Sequence, residues 1–171
     1  MKHRWMVLLL ILLLVLSACS GTKEMTMYYK QREISYDGSG LIGSQTVRCP
    51  EPVTAKSLAD IYFGLEPEDD LCDPFPEDTK RVKSRIEDGI LYLTLSESFG
   101  TLEGAELSLA MTCITMTFSQ LPDVEAVELS VENGFLQEQQ SIRLSADDVM
   151  TQDDGLGALD VVLTVYRAGD G

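Results

Sequence analysis

A strand, an Asp-Gly pair, a second strand and then a long apolar helical pattern constrain this chain more than any other stretch. Residues 80–86 alternate charged side chains with Val82 and Ile86, which predicts a half-exposed strand. Asp88-Gly89 supplies the tight turn, the strongest short-range hairpin signal in the sequence. Residues 90–95 follow, with Ile90, Tyr92 and Thr94 on one face and Leu91, Leu93 and Leu95 on the other. Two nearly apolar faces predict a central strand, covered by helices on at least one side. In residues 103–120, Leu107, Ala110, Met111, Ile114, Phe118 and Leu121 recur at helical spacing, and Leu109, Cys113 and Met116 widen that face. Thr112, Thr115 and Thr117 are poor helix formers, so burial must hold this helix. Pro122 ends it.

The rest of the chain frames this centre. Residues 25–33 read as a strand, Asp37-Gly38-Ser39-Gly40 as a turn, and residues 41–48 as a second extended stretch stopped by Pro50 and Pro52. Thr54 is a candidate N-cap for a helix running to about Leu65, with Leu58, Ile61, Tyr62 and Leu65 on its apolar face. Residues 66–78 are acidic, contain Pro67, Pro74 and Pro76, and read as a loop. Residues 124–132 alternate as a strand with one polar side, closed by Asn133-Gly134. Residues 140–144 read as a short strand, 145–157 as an acidic loop, and 160–167 as strongly β by composition.

The amino terminus sets the compartment. Lys2 and Arg4 precede an unbroken apolar run from Trp5 to Val15, which closes on Leu16-Ser17-Ala18-Cys19. A basic start, a short apolar core and small residues at the cleavage site make a secretory signal peptide. A bilayer-spanning helix needs ~20 apolar residues, more than this run supplies. Cys19 directly after Leu-Ser-Ala resembles the lipobox of bacterial lipoproteins. The resemblance implies cleavage before Cys19 and a diacylglyceryl group on its sulfur, with further acyl (palmitate-type) chains as the tether. Two chains hold durably where one is marginal, each buried CH₂ contributing ~0.8 kcal/mol. The expected organisation is a signal peptide over 1–18, a lipidated Cys19 with a short linker over 19–24, a globular domain over 25–136, and a C-terminal extension over 137–171. The expected location is the extracytoplasmic face of the cell membrane.

Charge and residue inventory narrow the function. The formal net charge is −15, and removing Lys2 and Arg4 takes it to −17. Such acidity argues against nucleic acid as a partner, because phosphates need Lys and Arg to neutralise them. It also argues against electrostatic docking on anionic lipid. The only His, His3, leaves with the signal peptide, and no Gly-x-Ser-x-Gly elbow or phosphate-binding Gly-x₄-Gly-Lys loop is present. No enzyme activity, catalytic residue, metal site or cofactor is expected. Two carboxylate clusters remain as candidates for cation or glycan chemistry: Glu66, Glu68, Asp69 and Asp70, then Asp147, Asp148, Asp153 and Asp154. The second lacks the spacing of an EF-hand loop, with Met150 and Gln152 where ligands belong. Cys113 reads as a core residue. Cys49 and Cys72 sit at turn signals, and an oxidising compartment permits a bridge between them if their backbones come close enough.

The order of elements is similar to the GerMN domain of sporulation and spore-germination lipoproteins. The residues that carry this are Tyr28-Tyr29 in the opening strand, Pro74-Phe75-Pro76 before the hairpin, and Asp88-Gly89-Ile90-Leu91-Tyr92-Leu93-Thr94-Leu95-Ser96 followed by Phe99. Thr117-Phe118-Ser119-Gln120-Leu121-Pro122-Asp123-Val124 and Glu132-Asn133-Gly134 complete the set. The resemblance implies an α+β fold similar to ring-building motif domains, a small three- to four-stranded sheet with two helices packed on one face. It also implies a non-enzymatic assembly role, with protein partners or self-association through helix and sheet-edge surfaces. The alternative is a binding module for a small ligand, a cation or a cell-wall component. Well-known members carry two such domains in tandem, whereas this chain has room for one.

Overall fold

The computed structural model describes residues 21–33 and 40–149. Strands β1 (Thr22–Gln31) and β2 (Ile42–Pro50) pair antiparallel from Thr22↔Pro50 to Lys30↔Ile42. The turn expected between them lies mostly outside the described residues, and Gly40 (φ +92°) takes a left-handed conformation that favours glycine. Met25, Met27 and Tyr29 are fully buried on one face of β1, the two-residue period of a strand.

Helix α1 (Ala55–Tyr62) starts at the expected cap. Ser57 N–H donates to Thr54 Oγ1 (3.1 Å) and Thr54 N–H donates to Ser57 Oγ (2.9 Å), so two orphan donors are satisfied reciprocally. The helix ends at Tyr62, short of the expected Leu65. The Gly64 N–H turns back to the Ile61 carbonyl, and Pro67 follows. Inside the Pro-rich stretch expected as a loop, β3 (Leu71–Cys72) forms a two-residue strand on the second edge of β1, pairing Lys30↔Cys72 and Gln31↔Leu71.

Strands β4 (Arg81–Glu87) and β5 (Ile90–Leu95) form the expected hairpin. Asp88 (φ 51°) and Gly89 (φ 76°) give the pair of positive φ angles that a type I′ turn requires. Helix α2 (Gly104–Phe118) then crosses over to β6 (Ala126–Val131), which runs parallel to β5 from Ile90↔Ala126 to Leu95↔Val131. A parallel pair needs such a crossover. Strand β7 (Ser141–Ser145) closes the order β4-β5-β6-β7, so this sheet draws on sequence beyond residue 136.

The class is α+β, as expected. The strands, however, divide into two sheets, β2-β1-β3 and β4-β5-β6-β7, rather than one. The reason is that β1 meets only two residues of β3 on its second edge, and helix α2 takes up the rest. Helix α2 packs against β1 as well as β6 and β7, and ten of its fifteen residues are buried. A helix buried around most of its circumference belongs between layers. The aromatic centre is Tyr62, with ring centroids 5.3 Å from Tyr29, 5.5 Å from Phe75 and 6.2 Å from Phe118.

Candidate interaction surface

The sequence-predicted residues do not converge on a reactive centre. Cys19 lies outside the described residues, as do Asp153, Asp154 and the β-rich stretch 160–167. Glu66, Glu68, Asp69, Asp70, Asp147 and Asp148 are exposed. Among the described residues, no group of three or more His, Cys, Asp or Glu side chains is placed to hold a metal ion. Cys49, Cys72 and Cys113 are free. A Cys49–Cys72 bridge is ruled out by register: Cys49 lies opposite Lys23 and Cys72 opposite Lys30, on opposite edges of β1. Seven strand residues span about 23 Å, far beyond the ~7 Å that a disulfide tolerates between Cα atoms. Cys113 is fully buried, the core residue its pattern predicts.

A polar junction joins the second edge of β1 to the helices. Thr26 N–H donates to Gln120 Oε1 (2.9 Å), and the Gln120 amide donates back to the Thr26 carbonyl. One side-chain amide thus fills the place of a neighbouring strand. Tyr28 N–H donates to Thr117 Oγ1 (3.1 Å), whose own hydroxyl donates to the Cys113 carbonyl (2.8 Å). The Tyr28 carbonyl accepts from the Tyr62 hydroxyl (2.6 Å). Burial raises the Tyr62 and Tyr29 hydroxyls far above the usual tyrosine range, and nearby ionisable groups add to the shift. Burial is also the first cause that lifts the Asp73 carboxyl, with Glu77 second, and Asp73 Oδ1 has no hydrogen-bond partner among the described residues. These groups hold the fold.

The other polar constellation is on the half-exposed face of the four-stranded sheet. Leu91, Leu93, Leu95, Val127, Leu129 and Val131 point into the core, so their neighbours in sequence face outward. Register aligns Arg85, Tyr92, Glu128 and Arg143 in one row across all four strands. The Arg85 guanidinium lies 4.1 Å from the Tyr92 ring centroid. Glu128 Oε2 accepts from Arg143 Nη2 (2.6 Å) and Nε (3.0 Å), and Glu128 Oε1 accepts from Ser141 Oγ (2.9 Å). The Arg143 hydrogen bond is the main reason the Glu128 carboxyl sits below its ordinary range, with burial opposing it. The next row carries a Thr94–Ser130 hydroxyl contact at 3.1 Å. A carboxylate held ionised by its own guanidinium is a weak base, and the row sets a cation, a ring and an ion pair side by side. Tyr92 was placed on one face of its strand, and none of the four was a candidate site residue in the sequence. Their only signal was their place at the outward positions of alternating strands.

Three comparisons bear on the chain. The family model Germane, described as sporulation and spore germination, matches residues 41–137, more than half of the sequence. The tandem GerMN domains of the sporulation protein GerM from Bacillus subtilis superpose with a TM-score of 0.54 at 22% identity, over 74% of this chain and 46% of that one. The first GerMN domain of GerM from Bacillus subtilis gives a TM-score of 0.55 at 16% identity, over 74% of this chain and 99% of that one. This chain therefore spans under half the length of the tandem structure and nearly all of the single domain. At these identities the likeness shows the fold alone. No curated protein matches.

Proposed function

This chain belongs to the Germane family, and from that premise we propose that it is a membrane-anchored extracytoplasmic lipoprotein whose folded body works by contact with other proteins, without enzymatic activity, in sporulation or spore germination. The Leu16-Ser17-Ala18-Cys19 sequence supports the tether. So does the charge balance, since an acidic body gains nothing from an anionic leaflet and needs a covalent hold. Among the described residues no helix is long and apolar enough to cross a membrane.

The observation that carries the contact role is the row Arg85, Tyr92, Glu128 and Arg143. Arg85 lies over Tyr92 and Arg143 is paired with Glu128 before any partner arrives, which lowers the ordering cost of association. The face suits docking better than the adjacent edge. Strand β4 carries Arg81, Lys83 and Arg85 and a bulge between Arg81 and Lys83, devices that blunt strand addition.

Mild chemical cross-linking of membranes that hold the full chain tests this. Discrete protein adducts are expected, and they should disappear in the Tyr92→Ala, Glu128→Lys double variant while its melting curve stays cooperative. Adducts that persist unchanged in that variant would contradict docking through this face.

A further inference from the structure

The same edge of β1 that binds Gln120 and Thr117 brings two cysteines from distant parts of the chain to one place. Along β1, Thr26 is served by Gln120 and Tyr28 by Thr117, so helix α2 runs antiparallel to the strand. The next position on that edge is Lys30, whose partner is Cys72 of β3. The next turn of the helix toward its amino terminus presents Cys113, whose carbonyl accepts from Thr117. Thr117 to Cys113 covers about 6 Å of helix and Tyr28 to Lys30 about 7 Å of strand, so the two cysteines arrive level along the strand. Cys72 Sγ contacts the Lys30 carbonyl at 3.6 Å. Burial is the main cause that pushes the Cys113 thiol up, and Cys72 adds to it.

We propose that Cys72 and Cys113, both free thiols in this structure, are a redox pair that closes to a disulfide and staples the two-residue strand β3 to the central helix. The accommodating part is β3 and its Pro-rich flanks, since α2 is locked between layers. The oxidant is a disulfide-bearing molecule of the extracytoplasmic space, so closure in the cell rests on the location proposed above. The half-buried Cys72 thiolate attacks one sulfur of the oxidant and expels the other as a thiolate. Cys113 then loses its proton and attacks the Cys72 sulfur of the mixed disulfide, releasing the second thiolate. Two cysteines are oxidised by two electrons, and the oxidant leaves as two thiols carrying the two protons.

Full-length protein extracted in detergent from the producing bacterium, alkylated and digested with trypsin without reduction, reads the pairing directly. The expected product joins residues 57–80 to residues 86–143, leaves Cys49 alkylated, and falls apart on reduction. A second sample is first treated with oxidised glutathione. A bridge in both samples supports the proposal. A bridge only after glutathione supports the pairing and overturns the extracytoplasmic location. Cys72 and Cys113 alkylated in both samples, or a bridge to Cys49, overturns the pairing. The bridged form should melt about 10 °C above the reduced form, since a long loop is closed. A Cys72→Ser variant should melt the same with and without reductant.

Discussion

The two sides of helix α2 are built on different chemistry. Leu107, Ala110, Met111 and Ile114 join Leu91, Leu93, Leu95 and Leu129 in one apolar core. Toward β1, Thr117 of the same helix and Gln120 in the turn just past its end serve the strand's backbone as another strand would. The apolar side is held by burial, at about 25 cal/mol per Å² of apolar surface removed from water, and it is not directional. The polar side is directional: it fixes where β1 sits along the helix. A helix between two sheets needs both, one for stability and one for register.

The largest test strikes the apolar side. Ile114→Asp puts an unpaired charge at a fully buried site, and a loss of about 4–5 kcal/mol should abolish the cooperative unfolding transition in circular dichroism. A folded Ile114→Asp protein would show that burial does not hold this side of the helix. On the polar side, Gln120→Ala leaves the Thr26 N–H and carbonyl without their side-chain partner, at a cost of about 2 kcal/mol in chemical denaturation. Amide exchange should sharpen the assignment, because protection should fall at Thr26 first. Thr54→Ala, on neither side of α2, should cost about 1 kcal/mol and leave Thr26 protection unchanged.

The smallest effect lies on the half-exposed sheet face. The folded-state pKa of Glu128 is depressed, so its contribution is present above the titration range of an unfolded glutamate and is lost as pH falls through the folded value. Acid titration of stability should therefore show a loss of at most about 1 kcal/mol, and Arg143→Gln should remove most of it. An unchanged acid limb in Arg143→Gln would detach the Glu128–Arg143 pair from the energetics of the row.

The contrast between the two sides also decides what the sequence disclosed. The hairpin was legible because Asp88-Gly89 is local chemistry between alternating strands. The central helix was legible because apolar periodicity reports burial. Strand β3 was not, because it is two residues long and nothing local marks Leu71–Cys72 as paired. Nor was the parallel β5–β6 pair, which only the crossover through α2 creates. Thr117 and Gln120 belonged to the family-like stretch, but their role was not legible: a threonine in a helix reads as a weak helix former, and its bond to a distant strand has no periodicity. The row Arg85, Tyr92, Glu128 and Arg143 was hidden in the same way, since four strands and their registers must be known before it exists.

A folded body held outside the cell by lipid, working by contact, is the claim that joins these parts. The mass of the mature amino terminus, measured on protein from the membrane fraction, tests it most directly. The expected species is a chain beginning at Cys19 with a diacylglyceryl group on its sulfur. A chain that begins at Cys19 with an unmodified thiol, or one that retains residues 1–18, would contradict it.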